Sequence, residues 1–136
     1  MNARTSQQQR RNRGQGRRLP VPEEDIRRAI EGDPEALVNT AMVIGRSLAQ
    51  RKLSTSQIRN IFGEVKRMQM RGFDPYKFQL LRPRLAYAAG RHRGAVEELK
   101  DVLEVAIGEV KGEEGFRRFA DFFEAILAYH REAGGR

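Results

Sequence analysis

The chain has 136 residues, a formal net charge of +8 and 39% apolar residues, which is enough for one modest domain and too little for two. It contains no cysteine, so disulfides and thiolate metal sites are excluded. It also lacks a signal-peptide pattern and any apolar run of the roughly 20 residues that a membrane span needs. We therefore expect a soluble, cytoplasmic protein.

Residues 1–22 form a tail that carries six basic and no acidic side chains. Up to about Arg18 the tail is almost free of apolar residues, so it cannot offset the entropy of ordering and is predicted to be disordered. The run Leu19-Pro20-Val21-Pro22 is predicted to be a stiff lead-in to one folded domain over 23–136. Two roles for the tail stay open: a tether that raises RNA affinity through counterion release, or an extension that serves solubility.

The signals after Pro22 predict an all-α fold, a compact bundle of five to six helices. The first helix spans 23–31 and is followed by Gly32, and Asp33-Pro34 then caps a second helix that ends near Lys52. No window alternates polar and apolar residues in the manner of a strand.

Ser54 and Gln57 have the spacing of a capping box and open a third helix that ends at Gly72. Asp74-Pro75 opens a fourth helix, which Pro83 must kink or split. A fifth helix is predicted over 95–110 and a sixth over 116–131. The apolar faces of these last two helices are predicted to contain Val96, Leu99, Val102, Leu103, Ala106, Ile107, Val110, Phe116, Phe119, Phe123, Ile126 and Tyr129.

The strongest chemical signal is the segment 51–93, which carries eleven basic and two acidic side chains. Exposed helix faces normally mix charge signs, so this excess predicts a surface for a polyanion. Gly63 leaves a gap on one flank of the third helix, where a phosphate backbone can approach. If the helix restarts after Pro83, Arg84 and Arg91 lie seven residues apart, which is nearly two turns. This spacing puts both side chains on one stripe of the helix surface. The predicted RNA-binding side chains are Lys52, Arg59, Lys66, Arg67, Lys77, Arg82, Arg84, Arg91 and Arg93.

Tyr87 flanks this stripe and has two interpretations. It can stack on a nucleobase, as aromatic side chains do in proteins that bind single strands. The favoured interpretation places it in the core with its hydroxyl at the rim.

No catalytic residue, metal site or cofactor is predicted. His92 and His130 are the only histidines, and neither has carboxylates at the spacing of a metal or nucleophile site. The acidic residues of the last two helices are interpreted as solvent faces: Glu97, Glu98, Asp101, Glu104, Asp121 and Glu124.

Three runs in this order along the chain resemble the small subunit of the type III-A CRISPR ribonucleoprotein effector, the Csm complex. They are Ser54-Thr55-Ser56-Gln57-Ile58-Arg59, the run LRPRLAYAAGR at Leu81–Arg91, and Phe123–Gly135 with its terminal AYHxxxGG pattern. The middle run is the most specific, and nothing before Leu37 matches.

The resemblance implies a non-catalytic helical bundle of a prokaryotic antiviral defence complex. It implies more than one copy of the subunit in each particle, packed along the guide RNA–target RNA duplex beside the backbone subunits, with the large subunit as a further partner. Cleavage of the target RNA in such complexes belongs to the backbone subunits. Since a paired duplex offers its phosphates and 2′-hydroxyls, binding is expected to be indifferent to sequence.

Two other functions stay open. A helix-turn-helix DNA regulator would use residues 54–71 for recognition and would need a dimer with base contacts. A purely structural adaptor would join its basic half to an acidic neighbour and its acidic half to a basic one.

Overall fold

The computed structural model describes residues 19–136, and within them it contains seven α-helices, one 3-10 turn and no strand. The predicted all-α bundle is confirmed. The elements are α1 (Glu23–Glu31), α2 (Pro34–Gln50), the 3-10 turn (Thr55–Ile58), α3 (Arg59–Arg71), α4 (Pro75–Gln79), α5 (Leu81–His92), α6 (Ala95–Glu109) and α7 (Glu113–Glu132).

The predicted caps form. The carboxylate of Asp33 accepts the backbone N–H of Ala36 at 3.1 Å, and Asp74 caps α4 in the same way. The capping box is also present, with the backbone N–H of Ser54 donating to the side-chain oxygen of Gln57 at 3.0 Å. This box opens a 3-10 turn rather than α-helix, so α3 itself begins only at Arg59.

The fourth predicted helix is split, but the break lies earlier than expected. It falls at Leu80, between α4 and α5, and Pro83 is the third residue of α5. A proline in the first turn of a helix loses no intrahelical hydrogen bond, because the N–H it lacks has no partner there. The last helix likewise begins at Glu113 rather than Phe116.

The core is centred on the packing of α2 against α7, the most extensive contact between two elements. Gly45 permits this close approach: a Cβ there would lie 2.6 Å from the carbonyl oxygen of Ile126. Around the crossing, phenylalanine rings meet edge to face, with centroids 5.1 Å apart for Phe78 and Phe119. The rings of Phe119, Phe122 and Phe123 are fully buried. α4, although short, is thereby tied to the core.

Leu19 and Val21 are partly buried against the same core. The prediction for the tail up to Arg18 concerns residues outside those that the structure describes.

Candidate nucleic-acid interface

An open groove of about 540 Å³ separates the start of α3 from α5. One wall comes from the 3-10 turn and the first turn of α3, and the other comes from the outward face of α5. We call it the α3–α5 groove, and its lining residues are Ser56, Gln57, Asn60, Ile61, Pro83, Arg84, Tyr87, Ala88, Arg91 and His92.

The sequence of α5 explains which side chains face the groove. Leu81, Leu85 and Ala88 recur every three or four residues and are buried against the bundle. Arg84 and Arg91 lie on a different face of this helix from the buried residues. Both line the groove, as their spacing predicted. Seven residues of helix separate them by roughly 10 Å along the axis.

The arginines of this region are not neutralised by neighbours. Among residues 19–136, no carboxylate forms an ion pair with Arg59, Arg84 or Arg91, and all three side chains are exposed. The residues that line the groove include no Asp or Glu. Arg84 and Arg91 therefore make the groove a positively charged cleft with two guanidinium groups available to an anion, and Arg59 lies outside its lining.

Tyr87 lies between these two arginines, and its favoured interpretation as a core residue was wrong. Its side chain is 70% exposed, because it shares the outward face of α5 with Arg84 and Arg91. Leu85 and Ala88 occupy the inward positions on either side of it. The ring is thus presented to the groove rather than to the core.

Two of the predicted basic residues on α3 have acidic partners. Lys66 Nζ lies 3.3 Å from a carboxylate oxygen of Glu124 on α7, and Arg67 lies 3.0 Å from Glu64. Both pairs are exposed, and exposed pairs contribute only about 0–1 kcal/mol, so a phosphate can compete for either cation. At Gly63 a Cβ would meet nothing within 4 Å, which agrees with the gap expected on this flank.

A second groove, of about 420 Å³, lies between the end of α3 and α4. It brings together Arg67 and Lys77 from the predicted set and adds Arg71, which sequence reasoning missed. Arg71 follows Arg67 by four residues on the same helix, so helical periodicity was the signal that would have found it. We call this second cleft the α3–α4 groove.

Five of the predicted residues are exposed but line neither groove: Lys52, Arg59, Lys66, Arg82 and Arg93. Lys52 lies two residues after the end of α2 and Arg93 is the C-cap of α5, and both have a positive φ, of 67° and 62°. Arg93 also lies 3.8 Å from Glu97. The nine predicted residues are therefore divided among two grooves and the surface around them.

The interpretation of α6 as an acidic solvent face was wrong for two residues, since Glu98 is 4% exposed and Asp101 is 8% exposed. Glu98 accepts hydrogen bonds from Ser47 Oγ and from the guanidinium of Arg51, each at 2.7 Å. A buried carboxylate with such partners ties α6 to the end of α2. The surface charge of this half of the chain is correspondingly less acidic than its composition indicates.

The two histidines lie in different environments. His92 is exposed in the α3–α5 groove, whereas His130 is fully buried near the end of α7. Within the described part of the chain, no three residues of the types His, Cys, Asp and Glu are grouped so that they could hold a metal ion. Among the helices of residues 19–136, none combines the length and the apolar composition that a membrane span requires.

The fold and the grooves define a small all-α protein with a basic, cleft-bearing face. The sequence profile of the family described as Csm2 Type III-A matches residues 31–136 of this chain. The chain therefore belongs to the Csm2 Type III-A family, and it is a small subunit of the type III-A CRISPR effector complex, assembled with the other subunits of that complex. Comparison with curated proteins gave no match, and neither did comparison with solved structures.

Proposed function

We propose that this subunit holds the guide RNA–target RNA duplex through its sugar–phosphate backbone, without reading its sequence and without catalysing a reaction. The observation that carries the proposal is the pair Arg84 and Arg91, unpaired with any carboxylate of residues 19–136 and lining one groove. Arginine suits this task because its planar fork of N–H donors matches the oxygens of a phosphate.

The spacing of the pair fits contact with a polymer. Two guanidinium groups roughly 10 Å apart along one helix reach separate phosphates of a strand rather than one small anion. Arg59 on the neighbouring helix adds a third exposed cation, and the open space at Gly63 gives a backbone room beside α3. A fully paired A-form duplex presents phosphates and 2′-hydroxyls, so such contacts carry no sequence information.

The composition of the groove supports a binding role over catalysis. His92 is the titratable imidazole at its wall, and the lining offers no carboxylate to orient it or to hold a metal. A general base normally needs such an orienting partner. The DNA-regulator alternative requires one recognition helix, α3, to carry the contacts, yet the unpaired arginines Arg84 and Arg91 lie on α5.

The experiment is a competition between two guide–target RNA duplexes of unrelated sequence for the purified protein. We expect equal affinities for the two duplexes and no cleavage of either with Mg²⁺ or Mn²⁺ present. A reproducible preference for one sequence would overturn the proposal and favour base readout by a DNA-regulator-like surface. Metal-dependent turnover that is lost in His92→Ala would overturn the non-catalytic part.

In the assembled complex the guide selects the target by base pairing. Replacing Arg84 and Arg91 by alanine is therefore expected to speed release of the target without altering which target is chosen. Release rates measured with a labelled target, in complexes that carry the wild-type or the double-variant subunit, check this expectation.

A further inference from the structure

Tyr87 is an aromatic side chain that the backbone-binding role does not use. It is 70% exposed in the α3–α5 groove, with Arg84 three residues before it and Arg91 four residues after it on one helix. A ring flanked by cations in a cleft is the arrangement with which proteins stack an unpaired nucleobase, while the cations contact the phosphates on either side.

The opposite wall of the groove carries amide side chains that can hydrogen-bond to the edge of a base. The Oε1 atom of Gln57 already accepts the backbone N–H of Ser54, so its NH₂ group is left as a donor. Asn60 is exposed and has no hydrogen-bond partner among residues 19–136. The cleft, at about 540 Å³, has ample room for one nucleobase between these amides and the ring.

We propose that the α3–α5 groove takes one unpaired nucleotide of the bound RNA, with its base stacked on Tyr87 and its edge facing Gln57 and Asn60. This inference rests on the proposed function, because the arginines must first hold the duplex. A base inside a duplex has both faces covered by its neighbours, so only a base that has left the stack can lie on the ring. The ligand class is therefore a duplex interrupted by an unpaired nucleotide.

The test compares two RNA duplexes that differ by a single unpaired 2-aminopurine nucleotide in the middle of one strand. The full chain is titrated with each duplex as wild type, Tyr87→Phe and Tyr87→Leu. Because stacking on an aromatic side chain stabilises an unpaired base, we expect the wild type to bind the interrupted duplex at least about five-fold more tightly. We also expect the 2-aminopurine fluorescence to be quenched on binding.

The variants separate stacking from mere apolar contact. Tyr87→Phe keeps the ring and should retain both the preference and the quenching. Tyr87→Leu should lose both while its affinity for the fully paired duplex stays unchanged. Because the side chain is exposed, neither substitution should move the thermal midpoint.

The two proposals fail in different ways. Equal affinity of the wild type for both duplexes, or a preference that survives in Tyr87→Leu, would overturn the stacking inference and leave the proposed function standing. If neither duplex binds, or if Arg84→Ala/Arg91→Ala binds both as well as the wild type, the proposed function itself fails.

Discussion

The buried imidazole of His130 donates a hydrogen bond from Nε2 to the backbone carbonyl of Leu53, across 2.6 Å and 77 residues of chain. The contact fixes the end of α7 beside the loop that leads to the Ser54 capping box. Two further hydrogen bonds hold residues 135 and 136 beside this contact. The N–H of Gly135 donates to the carbonyl of His130, and Thr55 Oγ1 donates to the carbonyl of Arg136. The terminal part of the chain thus supports one wall of the α3–α5 groove.

Replacing His130 by alanine is expected to destabilise the fold. The carbonyl of Leu53 loses a buried partner, which costs about 1–3 kcal/mol, and the lost ring leaves a cavity that adds to this. Urea unfolding of the variant measures the effect, with the exposed His92→Ala as the control. A urea midpoint equal to that of wild type would show that the hydrogen bond between His130 and Leu53 contributes nothing to stability.

The α2–α7 crossing depends on Gly45. A Cβ there would also lie 2.8 Å from the backbone nitrogen of His130, so Gly45→Ala should force the helices apart and cost about 1–3 kcal/mol. Gly63→Ala is the matched control, since its Cβ meets nothing and alanine favours a helix interior by about 1 kcal/mol. Thermal unfolding of both variants should therefore give shifts of opposite sign. If both stabilise the protein, the close crossing is not present.

Phe119 tests the aromatic core. Its ring is 0% exposed and contacts Phe78 and Phe123 at centroid distances of 5.1 and 6.2 Å. Phe119→Ala should cost about 3–5 kcal/mol of unfolding free energy, whereas the exposed Tyr76→Ala should cost less than about 0.5. Denaturant titration followed by circular dichroism measures both. Similar small losses in the two variants would contradict the placement of Phe119.

Asp33 makes the stability of the fold depend on pH in the acidic range. The backbone N–H of Ala36, followed by the guanidinium of Arg28, holds the pKa of the Asp33 carboxyl below its ordinary value. A lowered folded-state pKa means that the stabilisation is fully present above about pH 4 and is lost as the pH falls through the folded-state pKa. Asp33→Asn keeps a cap but cannot titrate.

The difference in thermal midpoint between wild type and Asp33→Asn should accordingly shrink on acidification from pH 7 to below pH 3. Scanning calorimetry across that range provides the measurement. A difference that stays constant with pH would show that the charge of Asp33 is not involved.

The local signals in the sequence were sufficient to identify the helices and their caps, but not the break at Leu80 or the start of α7 at Glu113. Asp33, Ser54 and Asp74 specify caps through contacts within three residues, so they could be recognised without tertiary information. The pairing of Lys66 with Glu124 joins residues 58 positions apart, and no local pattern indicates it.

The site was predicted less completely than the fold, because it depends on contacts between residues that are distant in the sequence. The spacing of Arg84 and Arg91 needed only one helix, and that prediction agrees with the groove. Tyr87 was misplaced because the inward face of α5 depends on how the helix is rotated against its neighbours. The burial of Glu98 depends on Arg51 and Ser47, which lie on another element.

The most direct test of the central claim is the salt dependence of RNA affinity. Each phosphate contact in a duplex contributes roughly 0.9 to the slope of log affinity against log salt. Arg84→Ala/Arg91→Ala should therefore flatten the slope for a guide–target RNA duplex by about 2. Arg46→Ala/Lys111→Ala removes the same charge from positions that line neither groove, and it should leave the slope close to that of wild type. An unchanged slope in the first double variant, or an equal loss in both, would contradict binding of the RNA backbone in the α3–α5 groove.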